Sequence, residues 1–584
     1  MLCQLCDDSS VATRKAAADA LTQLVRSSSE ECTTQSFSLE TAWAHAVLPL
    51  VFDTEASCVT KAVELFTVLV VEPIVELGQD SAMDVTYDHR DDRSKTSYLV
   101  AWRILSKLRD GSEKAGGLSN TSGSLMTALQ KLLIQAGKDA SSLVKHLLQA
   151  VYHVGGTSLG LDQNSSSSHD NSIMSDDDDV AVMRTGAWCL LAALCNHPSN
   201  ESSMSTTKNS SFAKMARVSL DQAVQQCNFS SFLALSLKKL RALIKSPDVP
   251  PDKKESLLAT LRDCLKVIAN MSHFISYVDA KACFADLHSD LQSFTLSIGL
   301  ISTAVHASVA LTNRMCGDDE ASGSNDVHSE VLSWVNGMLH SCEVAMESCY
   351  ASLAQRGTIS KEDETLLSHI LYLIGELSII GFTPQEEEDS LSSSTTKQED
   401  NMTLLTGRES VRGLLICPPS RLLYLVKLLL PNTIPRPGAE SECDELTTPS
   451  TLRAHAFITL GKFCLRDESL AKESLNMFAR ELHHRSNSDP AVQSNCLIVM
   501  GDLCLRYTNL GKRADCSGLN DLQSINQLST SLAFLQLCAH KTYKQWTGIF
   551  RHWQLVCRRA MTSLTQAVAA SVYLSTRILT ITRL

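Results

Sequence analysis

Ten residues from Gly461, GKFCLRDESL, and ten from Gly501, GDLCLRYTNL, share one frame at a spacing of forty. A period of that length constrains the fold more than any other property of the chain, because an array whose units pack only on their neighbours need not divide into globular domains by length. Aligned on the offset, Leu452, Arg453, Ala456, Ile458, Leu460, Gly461 and Phe463 fall on Val492, Gln493, Cys496, Ile498, Met500, Gly501 and Leu503; Cys464 and Arg466 then fall on Cys504 and Arg506. Two further stretches accept the frame, TRKAAADALTQLV from Thr13 and MRTGAWCLLAALC from Met183.

Counted from the Arg or Gln, the residue three along is small in every copy (Ala17, Ala187, Ala456, Cys496), and those seven and ten along are apolar. These spacings share one helical face. A small residue there admits a second helix, while Leu21, Leu191, Leu460 and Met500 fill the seam. After Arg466, the apolar residues Ala471, Leu475, Phe478 and Leu482 recur at helical spacing and predict a second amphipathic helix. Asp467 is placed to cap its first turn, and His483, His484 and Arg485 suit the negative end of its dipole. SDPAV at 488–492 restarts the chain, with Asp489 as N-cap and Pro490 at the first helical position, and TPSTL at 448–452 repeats the signal. Two antiparallel helices per forty or so residues is the HEAT-type period. The expected class is therefore all-α: a HEAT/armadillo-like α-solenoid of stacked antiparallel helix pairs with disordered loops.

Polar, Ser-, Gly- and Pro-rich stretches interrupt the helical rhythm at 111–124, 163–179, 199–211, 386–401 and 431–449, and read as flexible loops. The implied layout is an N-terminal helical segment 1–162, an acidic Ser-rich linker 163–180, a central helical segment 181–385 with its polar loop at 199–211, and an acidic loop 386–404. A helical segment 405–430, a Pro-rich linker 431–449, the repeats 450–510 and a divergent basic tail 511–584 follow. Ser175, directly before Asp176–Asp179, is a candidate phosphosite, beside the plainer reading of the segment as a solvating linker.

A formal net charge of −12 argues against a body coated in nucleic acid. The basic set Lys238, Arg241 and Lys245 does share one helical face, a weak candidate for phosphate contact; a solvated face is the simpler reading. The twenty cysteines are scattered with no zinc spacing, so no metal or cofactor is expected. Met1–Ser10 lacks the basic and apolar regions of a signal peptide, and reduced thiols are expected. The uncharged stretch Leu291–Asn313 contains Gln292, Ser293 and His306 and reads as buried helix rather than a membrane span.

GTSLG at 156–160 satisfies the G-x-S-x-G of serine hydrolases, but that elbow needs a strand before it. The preceding SSLVKHLLQAVYHV has helical spacing, so Ser158 reads as a turn serine and no enzyme is expected. A hydrolase using Ser158 is the rival from another class.

The stretch from Leu452 to Leu510 resembles the HEAT segment of condensin's large non-SMC subunits, most closely the D3 type of condensin II. The run at 461–467 and Gly-Asp-Leu-Cys-x-Arg-Tyr-Thr at 501–508 carry the resemblance, which covers about a tenth of the chain. It implies a non-catalytic regulatory scaffold in the nucleus and on chromosomes, binding the kleisin and SMC subunits, supporting mitotic chromosome condensation, and associating with DNA or histone tails. The alternative is a HEAT adaptor of nuclear-transport or phosphatase type. Residues 511–584 hold nine Lys or Arg against two Asp and no Glu, and do not continue the repeat; a truncated or alternatively terminated form is the expectation drawn from them.

Overall fold

The computed structural model describes residues 1–27, 39–80, 92–114, 121–157, 159, 178–195, 220–222, 224–225, 228–316, 325–381, 416, 418–430, 448–483 and 489–507. Among them every regular element is helical. The chain divides into two compact units. The first comprises Met1–Lys114, Asn120–Thr383 and Asp389–Leu422; the second comprises Leu423–Leu584 with the short pieces Ala115–Ser119 and Pro384–Glu388.

The first unit opens with α1 (Leu2–Leu5), α2 (Val11–Ser27), α3 (Leu39–Ala46), α4 (Ala56–Phe66) and α5 (Glu72–Asp80), with a 3₁₀ turn at Leu48–Phe52 and a π turn at Thr67–Val71. Then come α6 (Asp92–Lys114), α7 (Thr121–Ala136), α8 (Ala140–Thr157), α9 (Asp178–Cys195), α10 (Phe229–Lys245) and α11 (Pro251–Met271). It continues with α12 (Tyr277–Gln292), α13 (Ile298–Cys316), α14 (Asn325–Arg356) and α15 (Lys361–Ser378). Consecutive helices pack as pairs, α8 on α9, α10 on α11, α12 on α13 and α14 on α15. Corresponding helices of successive pairs also touch, so that α6, α9, α11, α13 and α15 form one layer. That is the stacked-pair arrangement the forty-residue period requires: each amphipathic face is buried by a partner and a neighbour, not by a central globule. Trp43, Trp102 and Trp188 lie fully inside. Layer contacts are tightest where a side chain is missing, since a Cβ on Gly186 of α9 would fall 2.7 Å from the Trp102 carbonyl of α6.

After α16 (Ser420–Leu428), the second unit contains α17 (Ser450–Cys464), α18 (Glu468–His483) and α19 (Pro490–Arg506), with α17 and α19 side by side and α18 packed on both.

Three sequence expectations need correction. Leu291–Asn313 is not one helix: α12 ends at Gln292 and α13 starts at Ile298, because Phe294 adopts the left-handed region (φ 53°) that closes a helix. No helix among the described residues is long and apolar enough to cross a membrane. The expected loop at 111–124 is shorter, since α6 runs to Lys114 and α7 begins at Thr121; likewise α9 begins at Asp178, inside the expected acidic linker. Finally, Pro449 is the N-cap of α17, where the restart signal placed a threonine. Ser158, Ser175, the stretches 199–211 and 386–401, and the tail from residue 508 lie outside the described residues.

Candidate functional site

The duplicated frame builds a three-helix element in which the repeat-defining residues face inward. Asp467 Oδ1 accepts from the Ser469 and Leu470 amides at 2.8 and 3.1 Å, capping α18 as its position predicts. Asp489 Oδ1 accepts from the Ala491 amide at 2.8 Å at the head of α19, with Pro490 in the first turn. The Ala491 amide, the Ser450 hydroxyl and the Arg453 charge together hold the Asp489 carboxyl below its usual range. The start of α19 is thereby tied to the start of α17.

Ala456, Gly461, Cys464 and Cys496 are buried, while Arg453, Arg466, Gly501 and Arg506 are half-buried; the Cys504 side chain lies outside the described residues. The two glycines of the frame are not equivalent. At Gly461 a Cβ would meet Val499 Cγ2 at 2.5 Å and Cγ1 at 2.6 Å, so α17 and α19 approach closely here. Asn495 Nδ2 donates to the Ala454 carbonyl at 3.1 Å, and the Tyr507 hydroxyl, 2.9 Å from both, donates to the Cys464 and Leu465 carbonyls at the end of α17. Val499, Asn495 and Tyr507 escaped the sequence reading because each acts across helices, where no periodicity announces it. Burial pushes the Cys464 thiol up to about 11 and raises Cys496 further, so both serve as small packing residues with no thiolate character.

Upstream, Ala17, Ala187, Leu21 and Leu191 are buried as the frame requires. Ten along, Leu24 is 42% exposed and Leu194 half-buried, while Val25 and Cys195, one residue further on, are buried. In the other two copies the tenth residues, Phe463 and Leu503, are buried, so the helices packed on each copy, not the spacing, set which of the two positions turns inward.

Two of the basic set on α10 meet carboxylates of α12, Arg241 half-buried and Lys245 exposed. Arg241 Nε lies 2.5 Å from Asp290 Oδ2 and its Nη1 2.6 Å from Asp286 Oδ1, and Lys245 Nζ lies 2.7 Å from Asp290 Oδ1. Burial pushes the Asp290 carboxyl up, but the hydrogen bonds and charges of Arg241 and Lys245 outweigh it and hold it low. Of the three cations only Lys238 is exposed without such a partner. The phosphate-contact reading thus retains one side chain, while Arg241 and Lys245 are committed to locking α10 on α12.

Helix α8 runs directly into the GTSLG stretch where an elbow needs a strand. Among the described residues no group of three or more His, Cys, Asp or Glu is placed to hold a metal ion.

Residues 431–482 match the family described as condensin-2 complex subunit D3-like HEAT repeats. The chain carries a condensin-2 D3-type segment. That match includes the copy of the frame that starts at Arg453 and ends before the copy that starts at Gln493. Condensin-2 complex subunit D3-L of Xenopus laevis is 52% identical over 65 residues, and condensin-2 complex subunit D3 of Mus musculus is 55% identical over 60. These alignments cover 11% and 10% of this chain and 4% of each relative, so the chain spans a small fraction of the curated relatives it matches. Among solved structures, the S. pombe condensin Cnd3-Cnd2 subcomplex aligns over 93% of this chain and 64% of its own, at 12% identity and a TM-score of 0.31; so loose a superposition adds nothing to the fold described above. The matched range takes in α17 and all but the last residue of α18.

Proposed function

We propose that the chain is a non-catalytic regulatory scaffold of condensin II type, which binds the kleisin and SMC subunits and supports mitotic chromosome condensation in the nucleus. The observation that carries this reading is the D3-type segment, 52% identical to a curated condensin-2 subunit over 65 residues. Its characteristic residues are spent on helix-to-helix seams, caps and close approaches. A surface held in fixed shape by such seams suits a protein that presents contacts to partners, and nothing in the frame supplies a nucleophile paired with a base. DNA or histone-tail association belongs to the same proposal.

Affinity purification of the full chain from mitotic and interphase nuclei tests it. Co-purification of kleisin and SMC subunits is the expected result. Their absence from both preparations rejects the proposal, and recovery of transport or phosphatase subunits in their place selects the adaptor reading. A serine-directed fluorophosphonate probe checks the catalytic rival: labelling that Ser158→Ala abolishes would establish a hydrolase.

A further inference from the structure

Lys131 is the sole charged side chain of α7, which holds no Asp or Glu between Thr121 and Ala136. An ammonium on such a helix has no carboxylate three or four residues away to pair with. It turns to backbone instead. Lys131 Nζ donates at 2.7 Å to the carbonyl of Val51, a fully buried residue of the 3₁₀ turn Leu48–Phe52 on which α7 packs.

Three other lysines that reach across to a neighbouring helix are answered by carboxylates. Lys61 Nζ lies 2.9 Å from Asp19 Oδ1, Lys245 Nζ 2.7 Å from Asp290 Oδ1, and Lys427 Nζ 2.8 Å from Glu473 Oε1. Around α7 the described carboxylates are engaged elsewhere: Asp53, just past the 3₁₀ turn, with Arg14, Glu64 of α4 with Lys61, and Asp179 of α9 with Arg103. Lys131 is half-buried, and burial lowers its pKa with no opposing charge to raise it. More of its amine is therefore neutral at physiological pH, and the neutral amine is the nucleophile.

The surface beside this amine is apolar. Phe52, next to Val51, is 53% exposed, and Ile134, one turn along α7 from Lys131, is 43% exposed. The hydrogen bond to Val51 also suits an acylated nitrogen, because an amide N–H donates to a carbonyl as an ammonium does. The charge that burial disfavours is then gone.

We propose that Lys131 is a modification site, the acceptor of a short acyl group delivered as a thioester. Neutral Nζ attacks the thioester carbonyl carbon; the C–N bond forms as the C–S bond breaks, and the proton shed by nitrogen passes to the departing thiolate. No electrons are exchanged with any other reagent. The product is a neutral amide still bonded to Val51, so the modification relieves the packing of α7 on the 3₁₀ turn and does not open it. This inference goes beyond the scaffold reading and does not rest on it.

The test incubates the full chain with acetyl-coenzyme A at neutral pH, then denatures it and caps the remaining amines with deuterated acetic anhydride. Peptide mass spectrometry reads the fraction acetylated at each lysine. Lys131 is expected to react about threefold or more faster than the exposed Lys238 and Lys254. That advantage should shrink as the pH approaches about 10, where ordinary lysines also lose their protons, and vanish in denaturant. Ile134→Glu, which sets a carboxylate one turn from Lys131 at an exposed position, is expected to slow Lys131 to the rate of the exposed lysines. Ile134→Gln, of similar size and without the charge, is expected to retain most of the advantage. The wild-type comparison stands alone if either variant folds poorly. Lys131 reacting no faster than Lys238 and Lys254 in the folded wild type, an advantage that persists in denaturant, or equal Lys131 rates in the folded Glu and Gln variants would overturn the proposal.

Discussion

Gly461 of α17 lies against Val499 of α19 so closely that any side chain at 461 would overlap both Val499 methyls. The glycine is required by this approach, not by its backbone, which is ordinary helix. Gly461→Ala is therefore expected to gain the helix propensity of alanine and lose more than it gains. Overpacking costs about 1–3 kcal/mol against roughly 1 kcal/mol of propensity, for a net loss near 1 kcal/mol. Chemical denaturation of the full chain checks this, with Val499→Ala as the partner in a double-mutant cycle. If the two changes add without coupling, the helices do not meet at this pair.

Ala456, also fully buried in this seam, makes a second test of the same geometry. Ala456→Leu is expected to destabilise by about 1–3 kcal/mol, whereas Ile498→Thr, at a position 51% exposed, is expected to change stability by less than about 0.5 kcal/mol. Equal effects at the two sites would show that the seam is not where the frame puts it.

How much of this was legible beforehand follows from what periodicity encodes. A repeat of small and apolar residues on one face fixes which side of a helix is buried, so Ala17, Ala187, Ala456 and Cys496 were identifiable from spacing alone, as were the caps Asp467 and Asp489. Which residue of the next helix each one meets depends on interhelical register, and neither Val499 nor Tyr507 carries a local signal of that. The same limit explains Lys238, Arg241 and Lys245: their shared face was readable, but the carboxylates of Asp286 and Asp290 that neutralise two of them lie on another helix, about 45 residues away in sequence. Leu24 shows the angular side of the limit, since a ten-residue spacing and an eleven-residue spacing both look helical in sequence, and packing chooses between them.

Tyr507 closes the α17–α19 element from the far end. Its hydroxyl donates to the Cys464 and Leu465 carbonyls, which the end of α17 otherwise leaves without helical partners. Tyr507→Phe is expected to cost about 1 kcal/mol and to speed amide exchange in the last turn of α17 while leaving α12 and α13 unchanged. Exchange that stays at the wild-type rate around Cys464 would show that solvent satisfies those carbonyls equally well.

Asp290 gives the fold a pH dependence whose sign can be stated. Its carboxyl is held below its unfolded value, so its contribution is complete above about pH 4 and is lost as pH falls through the folded value. Asp290→Asn is expected to destabilise by about 3 kcal/mol at neutral pH, the lower end for a broken buried pair, because Arg241 keeps Asp286. Its loss of stability on acidification should also be shallower than that of wild type. Parallel acid profiles for the two proteins would show that Asp290 is not among the groups that titrate with unfolding.

Phe294 is, among the described residues, the one non-glycine with positive φ, at 53°. It stands immediately after α12, where its amide donates to the Leu291 carbonyl at 3.2 Å, and its ring lines a small cavity with Leu291, Leu296, Ile301 and Leu373. The left-handed conformation costs an L-residue about 1 kcal/mol or more, which the half-buried ring offsets. Two substitutions separate these terms. Phe294→Ala removes the ring and keeps the strain; Phe294→Gly removes the ring and relieves it. Both are expected to be less stable than wild type, and the glycine variant is expected to exceed the alanine variant by about 1 kcal/mol. That ordering opposes the usual entropic penalty of glycine, so it cannot arise from lost packing, which the two variants share. Equilibrium denaturation of the three proteins decides it, and an alanine variant as stable as the glycine variant would mean that the turn between α12 and α13 relaxes out of the left-handed region once the ring is gone.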